Sequence, residues 1–210
     1  MNHKHWHKAR LLILGCCSLS IFITLGIKLL AQSSTYTFPN KFTSDQWESI
    51  TTDKIKSYGK NLQGKRYIPE TSVNNLLVEV FYISNNNTSN QELIQKYLEL
   101  QTVPKNLTVI ENKNLGNYAL FTKDKKTILT TCIHPQGKTA FTSQQFAQLA
   151  NQNLKQNLLP WFLGLSDLRD WRCFWVNMSV SLENLTEEEA ANILQTHLQT
   201  LVVQVIQEEK

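Results

Sequence analysis

The chain has 210 residues, with 21 Lys+Arg against 17 Asp+Glu and a formal net charge of +4. The whole surplus lies in the first thirty-one residues, where Lys4, Lys8, Arg10 and Lys28 stand without any Asp or Glu, so the other 179 residues are neutral. A neutral body argues against nucleic acid as a partner, because phosphate binding needs a basic surplus, and no glycine-rich nucleotide loop occurs among the seven glycines.

From the N-terminus, a basic flank over residues 1–10 precedes a largely apolar run, Leu11 to Ile27, which Leu29–Ala31 extends past Lys28. About 20 apolar residues cross roughly 30 Å of hydrocarbon, and the Lys28 stem is long enough to carry its ammonium to the interface. The expectation is a transmembrane helix over 11–31. The positive-inside bias puts the N-terminus in the cytoplasm and the rest of the chain on the other side. A cleaved signal peptide is the rival reading; Leu29 is large where a small residue is wanted before Ala31. A lipoprotein signal ending at Cys16 has too short an apolar lead, and Cys16 and Cys17 read as small apolar residues of the span.

Residues 32–58 are Ser/Thr-rich with scattered aromatics and read as a stalk that joins the domain near Trp47. The domain itself is expected over 59–210. Arg66–Ile68 and Leu76–Ile83 have strand composition. Ser89 to Glu92 forms a capping box that opens a helix over 90–101, ended by Pro104. Leu107–Ile110, Tyr118–Thr122 and Thr127–Ile133 read as strands, the last two joined in a hairpin by the polar loop Lys123–Lys126. A second capping box, Thr142 to Gln145, starts a helix running to about Asn157, and Pro160 and Gly164 break the next segment. Cys173–Val180 is strand-like. Thr186 to Glu189 caps a long last helix with one apolar stripe, Leu194, Leu198, Leu201, Val202, Val205 and Ile206. The fold class expected is α+β: a single N-terminal transmembrane helix, then one domain with a mainly antiparallel sheet and about three helices. The Asn-x-Ser/Thr triplets at Asn86, Asn87, Asn106, Asn177 and Asn184 fit chance in an Asn- and Thr-rich chain.

Two stretches concentrate the reactive residue types: Thr131 to Gly137, with Cys132 and His134, and Leu158 to Trp175, with Arg169, Asp170, Trp171, Arg172 and Cys173. Cys132 and Cys173 are the only cysteines beyond the expected span. In an oxidising compartment they are candidates for a disulfide. Unpaired buried thiols are the alternative. So is a Cys132–His134 nucleophile, since residues two apart on a strand share a face. Metal binding by Cys132, His134 and Cys173 lacks a fourth ligand for a closed zinc site. Trp161, Arg169, Asp170, Trp171, Arg172 and Trp175 form a candidate partner surface, because Trp and Arg are enriched at binding hot spots, and with Trp161, Trp171 and Trp175 within fifteen residues a membrane-surface contact is the other functional reading; the plainer reading is a turn in which Asp170 pairs locally with Arg and Trp171 is half buried. No catalytic, cofactor or metal residue is assigned.

The same stretches carry a resemblance. A short basic start and one span come first. Cys132-Ile-x-Pro135-x-Gly137 comes next, then Leu158-Leu-Pro-Trp161-x-Leu163-Gly164, and Arg169-Asp170-x-Arg172-Cys173-x-Trp175 with Met178-Ser179 close behind. This pattern resembles the cyanoexosortase A system-associated proteins of cyanobacteria. The resemblance implies a non-enzymatic, membrane-anchored accessory in the inner membrane with a periplasmic domain. Its partner would be a cyanoexosortase, a membrane cysteine protease that sorts proteins with PEP-CTERM-type signals, or that protease's substrates. The bilayer would be engaged through Leu11 to Ala31. The recurrence of both cysteines within the family's motifs adds to the disulfide reading. The alternatives are a thiol hydrolase or transpeptidase using Cys132, and a periplasmic assembly factor independent of any exosortase.

Overall fold

The computed structural model describes residues 15, 47–49, 63–69, 75–84, 92–94 and 102–208. Eight strands form one sheet: β1 (Trp47–Ser49), β2 (Gln63–Pro69), β3 (Leu77–Ile83), β4 (Thr108–Asn112), β5 (Gly116–Lys123), β6 (Lys126–Ile133), β7 (Thr139–Ala140) and β8 (Cys173–Ser181). Among the described residues three helices accompany them, α1 (Ser143–Ala150), α2 (Leu154–Phe162) and α3 (Glu187–Glu208), with further helical residues at 15 and 92–94. The strand order is β1-β2-β3-β8-β6-β7-β5-β4, with β5 and β6 also paired directly. Every pairing is antiparallel except the single bridge between Gly116 of β5 and Thr139 of β7. The α+β class with a mainly antiparallel sheet is therefore what the chain adopts.

The sheet is covered on both sides, and the alternation of its strands shows why. Strand β8 (CFWVNMSVS) lies at the centre of the sheet between β3 and β6, and reads as nearly continuous apolar sequence because both of its faces are buried. Phe174, Val176, Met178 and Val180 point to one face, together with Val78, Val80 and Tyr82 of β3 and Leu129 and Ile133 of β6. The α3 stripe Ala190, Leu194, Leu198, Leu201, Val202 and Val205 packs there. Cys173 and Trp175 point to the other face with Phe81 and Cys132, where Phe146 of α1 and Leu93 cover them. Ile94, Phe141, Ala119, Phe121 and Ile128 extend that second layer.

The expected capping boxes at α1 and α3 are both closed. Thr142 Oγ1 accepts from the Gln145 N–H at 3.2 Å, and Gln145 Oε1 accepts from the Thr142 N–H at 3.0 Å. Thr186 and Glu189 repeat the exchange at 3.2 and 2.9 Å. These bonds hold the exposed Glu189 carboxyl below its ordinary range. In the β5–β6 hairpin Asp124 and Lys125 both have positive φ, 51° and 58°, as a two-residue loop matched to strand twist requires.

One expected helix divides. The helix expected from Thr142 to about Asn157 is two helices. It caps at Asn151, whose N–H bonds to the Ala147 carbonyl, and α2 restarts at Leu154 and runs through Pro160 to Phe162. Strand β1 falls inside the expected stalk 32–58, at the residue where the stalk was read to join the domain, and pairs Trp47 with Pro69. The chain also divides into two units, one of residues 1–35 with 153–169, the other of residues 36–152 with 170–210; α2 belongs to the first and every strand to the second. Among the described residues no helix is long and apolar enough to cross a membrane. The expected span 11–31 lies outside them apart from Gly15, as does most of the expected helix 90–101.

Candidate functional site

The chemistry-bearing residues of the sheet unit converge where the end of β6 meets the start of β8. Register pairs Cys132 with Trp175 and Ile133 with Phe174. Cys132 and Cys173 therefore lie on one face, one side-chain step apart, with Cα atoms 5.6 Å apart and their sulfurs bonded. Both residues are fully buried. A bonded sulfur has no thiolate to attack with, and neither cysteine can serve as a metal ligand in this state.

Immediately after Cys132 the chain turns through His134–Lys138. The Gly137 N–H donates to the His134 carbonyl and the His134 N–H to the Lys138 carbonyl, both at 2.8 Å. Pro135 sits at the second position of this turn, where its fixed φ is favourable, and Gly137 takes φ 82°. A Cβ at Gly137 would collide with the Ile206 side chain. This explains the Pro-x-Gly spacing: it is a three-residue hairpin loop closed by a glycine bulge.

The turn carries His134 into the interior, where it is 0% exposed. Its Nδ1 accepts the Gln136 N–H at 3.2 Å, which leaves the proton on Nε2, and Nε2–H donates to the Asp170 carbonyl at 3.1 Å. With both nitrogens engaged, the ring is a neutral strut between two loops rather than a base facing a substrate. Burial is the largest influence on its pKa and pushes it below 6.5; the Asp170 carbonyl and carboxylate act upward and Arg172 downward. The ring also packs 5.6 Å from Phe146, which lies 6.2 Å from Trp171.

Asp170 is in turn held by its neighbour. Arg172 Nε and Nη2 donate to its two carboxylate oxygens at 2.9 and 2.8 Å, and the Arg172 N–H adds a third bond at 3.1 Å. Burial alone would raise the Asp170 carboxyl, but these donors hold it below the usual 3.8. The expected turn, with Asp170 paired locally and Trp171 half buried, is the arrangement found.

The candidate partner surface accordingly divides. Trp175 is 1% exposed and belongs to the core, where its ring lies 5.1 Å from Phe81 and its Nε1–H donates to Thr130 Oγ1 at 3.0 Å. It presents nothing to a partner. Asp170, Trp171 and Arg172 are half buried at the rim, while Trp161 and Arg169 are exposed and fall in the other unit.

Sequence reasoning missed a polar row beside this junction. Register aligns Arg66, Glu79, Asn177 and Thr130 across β2, β3, β8 and β6. Glu79 is buried, accepts from Arg66 Nε and Nη2 at 3.1 and 2.8 Å, and accepts from Asn177 Nδ2 at 3.4 Å. The available signal was a lone carboxylate inside the otherwise apolar strand LVEVFYI. Asn177, one of the five Asn-x-Ser/Thr triplets, is buried in this row, away from any modifying enzyme.

The chain matches no protein-family model, and no curated protein or solved structure shows significant similarity to it.

Proposed function

We propose that this protein is a membrane-anchored, non-enzymatic accessory of a cyanobacterial exosortase system, binding the exosortase or its PEP-CTERM-type substrates from the periplasmic side of the inner membrane. In this reading residues 11–31 form a single span with the N-terminus in the cytoplasm. The observation that carries it is the convergence of the two half-motifs behind the resemblance: Cys132, Pro135 and Gly137 from one, Asp170, Arg172, Cys173 and Trp175 from the other, knit together by a disulfide and by His134. The motif residues of the sheet unit thus act as framework, which suits a rigid binding module better than a catalyst. The disulfide also fits an oxidising compartment beyond the membrane, the side to which the basic N-terminal flank assigns the domain. Bonding of Cys132 removes the nucleophile that a thiol hydrolase would use.

Co-purification of the full-length protein from detergent-solubilised membranes after cross-linking tests the partnership. Recovery of the exosortase, or of a protein with an uncleaved C-terminal sorting signal, is expected. Efficient cross-linking to other envelope proteins with neither of these among them counts against it.

A further inference from the structure

Residues 156–166 contain no charged side chain, and within them lies the most exposed apolar surface of the described residues. Leu158, Leu159, Trp161, Phe162, Leu163 and Leu165 are all exposed, Phe162 at 77% and Leu165 at 71%, and α2 buries no residue. An apolar patch this dense on a protein surface marks a contact made elsewhere.

The backbone at the end of α2 closes on itself. Leu163 N–H bonds to the Leu159 carbonyl, Gly164 N–H to Trp161 and Leu165 N–H to Pro160. Gly164 supplies the positive φ, 73°, that this Schellman ending requires. Pro160 contributes no N–H. The N–H groups of Leu163, Gly164 and Leu165 are thus bonded within the segment, which lowers the cost of bringing this turn to the lipid interface. At nine residues α2 is about 14 Å long and too short to span a bilayer. Lys155 precedes the uncharged stretch, Asp167 and Arg169 come after it, and Trp161 lies within it. Charged ends around an aromatic and apolar tip are the pattern of an interfacial anchor.

We propose that α2 and the turn after it, residues 156–166, dip into the lipid interface as a second, monotopic membrane contact. The occupant of the apolar surface is the bilayer rather than a protein. The chemistry of the segment favours this occupant: it has no charge from 156 to 166, carries an aromatic among leucines, and meets charged residues only at its two ends. The inference rests on the membrane-anchored reading given above.

The test uses the full chain reconstituted in phosphatidylcholine vesicles with brominated acyl chains, which quench tryptophan in contact with them. The difference in emission between the wild type and Trp161→Phe isolates Trp161. This component is expected to lose roughly half its intensity relative to unbrominated vesicles, given immersion of about 5–10 Å, and the loss is expected to disappear in Phe162→Glu/Leu165→Glu. Retention of the chain in vesicles after alkaline washing reports the span separately. Retention with an unquenched Trp161 overturns the second contact and leaves the span standing. Quenching of Trp161 in a chain that alkali extracts supports the second contact and overturns the span. A Trp161 shielded from both brominated lipid and aqueous iodide overturns the inference in favour of a protein partner or a second copy of the chain.

Discussion

His134 shows how one side chain can be read wrongly from its neighbours in sequence. Beside Cys132 it suggests a catalytic pair; in the fold, its two nitrogens fasten one loop to another. Because burial depresses its pKa below the unfolded value near 6.5, the unfolded chain binds a proton that the folded chain resists. The stability this provides is complete above about pH 6.5 and is lost as the pH falls through that value toward the folded pKa. Denaturant titrations between pH 7.5 and 5 are expected to show falling stability in the wild type and a flatter profile in His134→Gln; identical slopes would rule the strut out as the source. Asp170 acts lower, its contribution being present above the usual 3.8 and lost as the pH falls through its depressed value. The disulfide acts on the unfolded chain instead. Closing a separation of 41 residues constrains the unfolded chain by roughly 4 kcal/mol in the entropy model. Cys173→Ala should lower the unfolding free energy by about that amount, with the same direction of change on adding reductant to the wild type.

At the scale of elements, α3 and the β6–β7 turn offer opposite kinds of test. The α3 stripe packs fully buried leucines on the sheet, so Leu198→Ala should cost about 2–5 kcal/mol. Val203, exposed on the same helix, should change stability by less than about 0.5 kcal/mol when replaced by Ala. Equal effects at the two positions would mean that α3 does not pack as described. At Gly137 a side chain meets both a positive φ and the Ile206 side chain, and Gly137→Ala should destabilise by about 2 kcal/mol or more in the same titration. Much at this scale was legible in sequence: capping boxes marked the starts of α1 and α3, and β-branched and aromatic runs marked β3, β6 and β8. Other elements lacked a usable signal. Strands β1 and β7 are three and two residues long, too short for any periodicity. The break between α1 and α2 falls in Asn151–Asn153, residues that a helix tolerates. Pro160 read as a breaker, yet it stands in the last turn of α2, where its missing N–H leaves only one carbonyl without its helical donor.

For the whole molecule, what sequence could not supply was long-range register. His134 and Asp170 are 36 residues apart, and Asn177 and Glu79 are 98 apart; only strand order and pairing bring them together. The surface assignment of Trp175 failed for the same reason, since its burial comes from the central place of β8 and not from its local sequence. The charge arithmetic at the N-terminus, by contrast, needs no fold; joined to what the motif resemblance implies, it underlies the proposal of a disulfide-braced domain held at the membrane beside a sorting protease. Deletion of the gene, followed by tracking of a substrate with a PEP-CTERM-type signal, tests that claim most directly. The account predicts that the uncleaved precursor accumulates, and that the full chain restores processing while a chain lacking residues 1–31 does not. Normal processing in the deletion strain would contradict it.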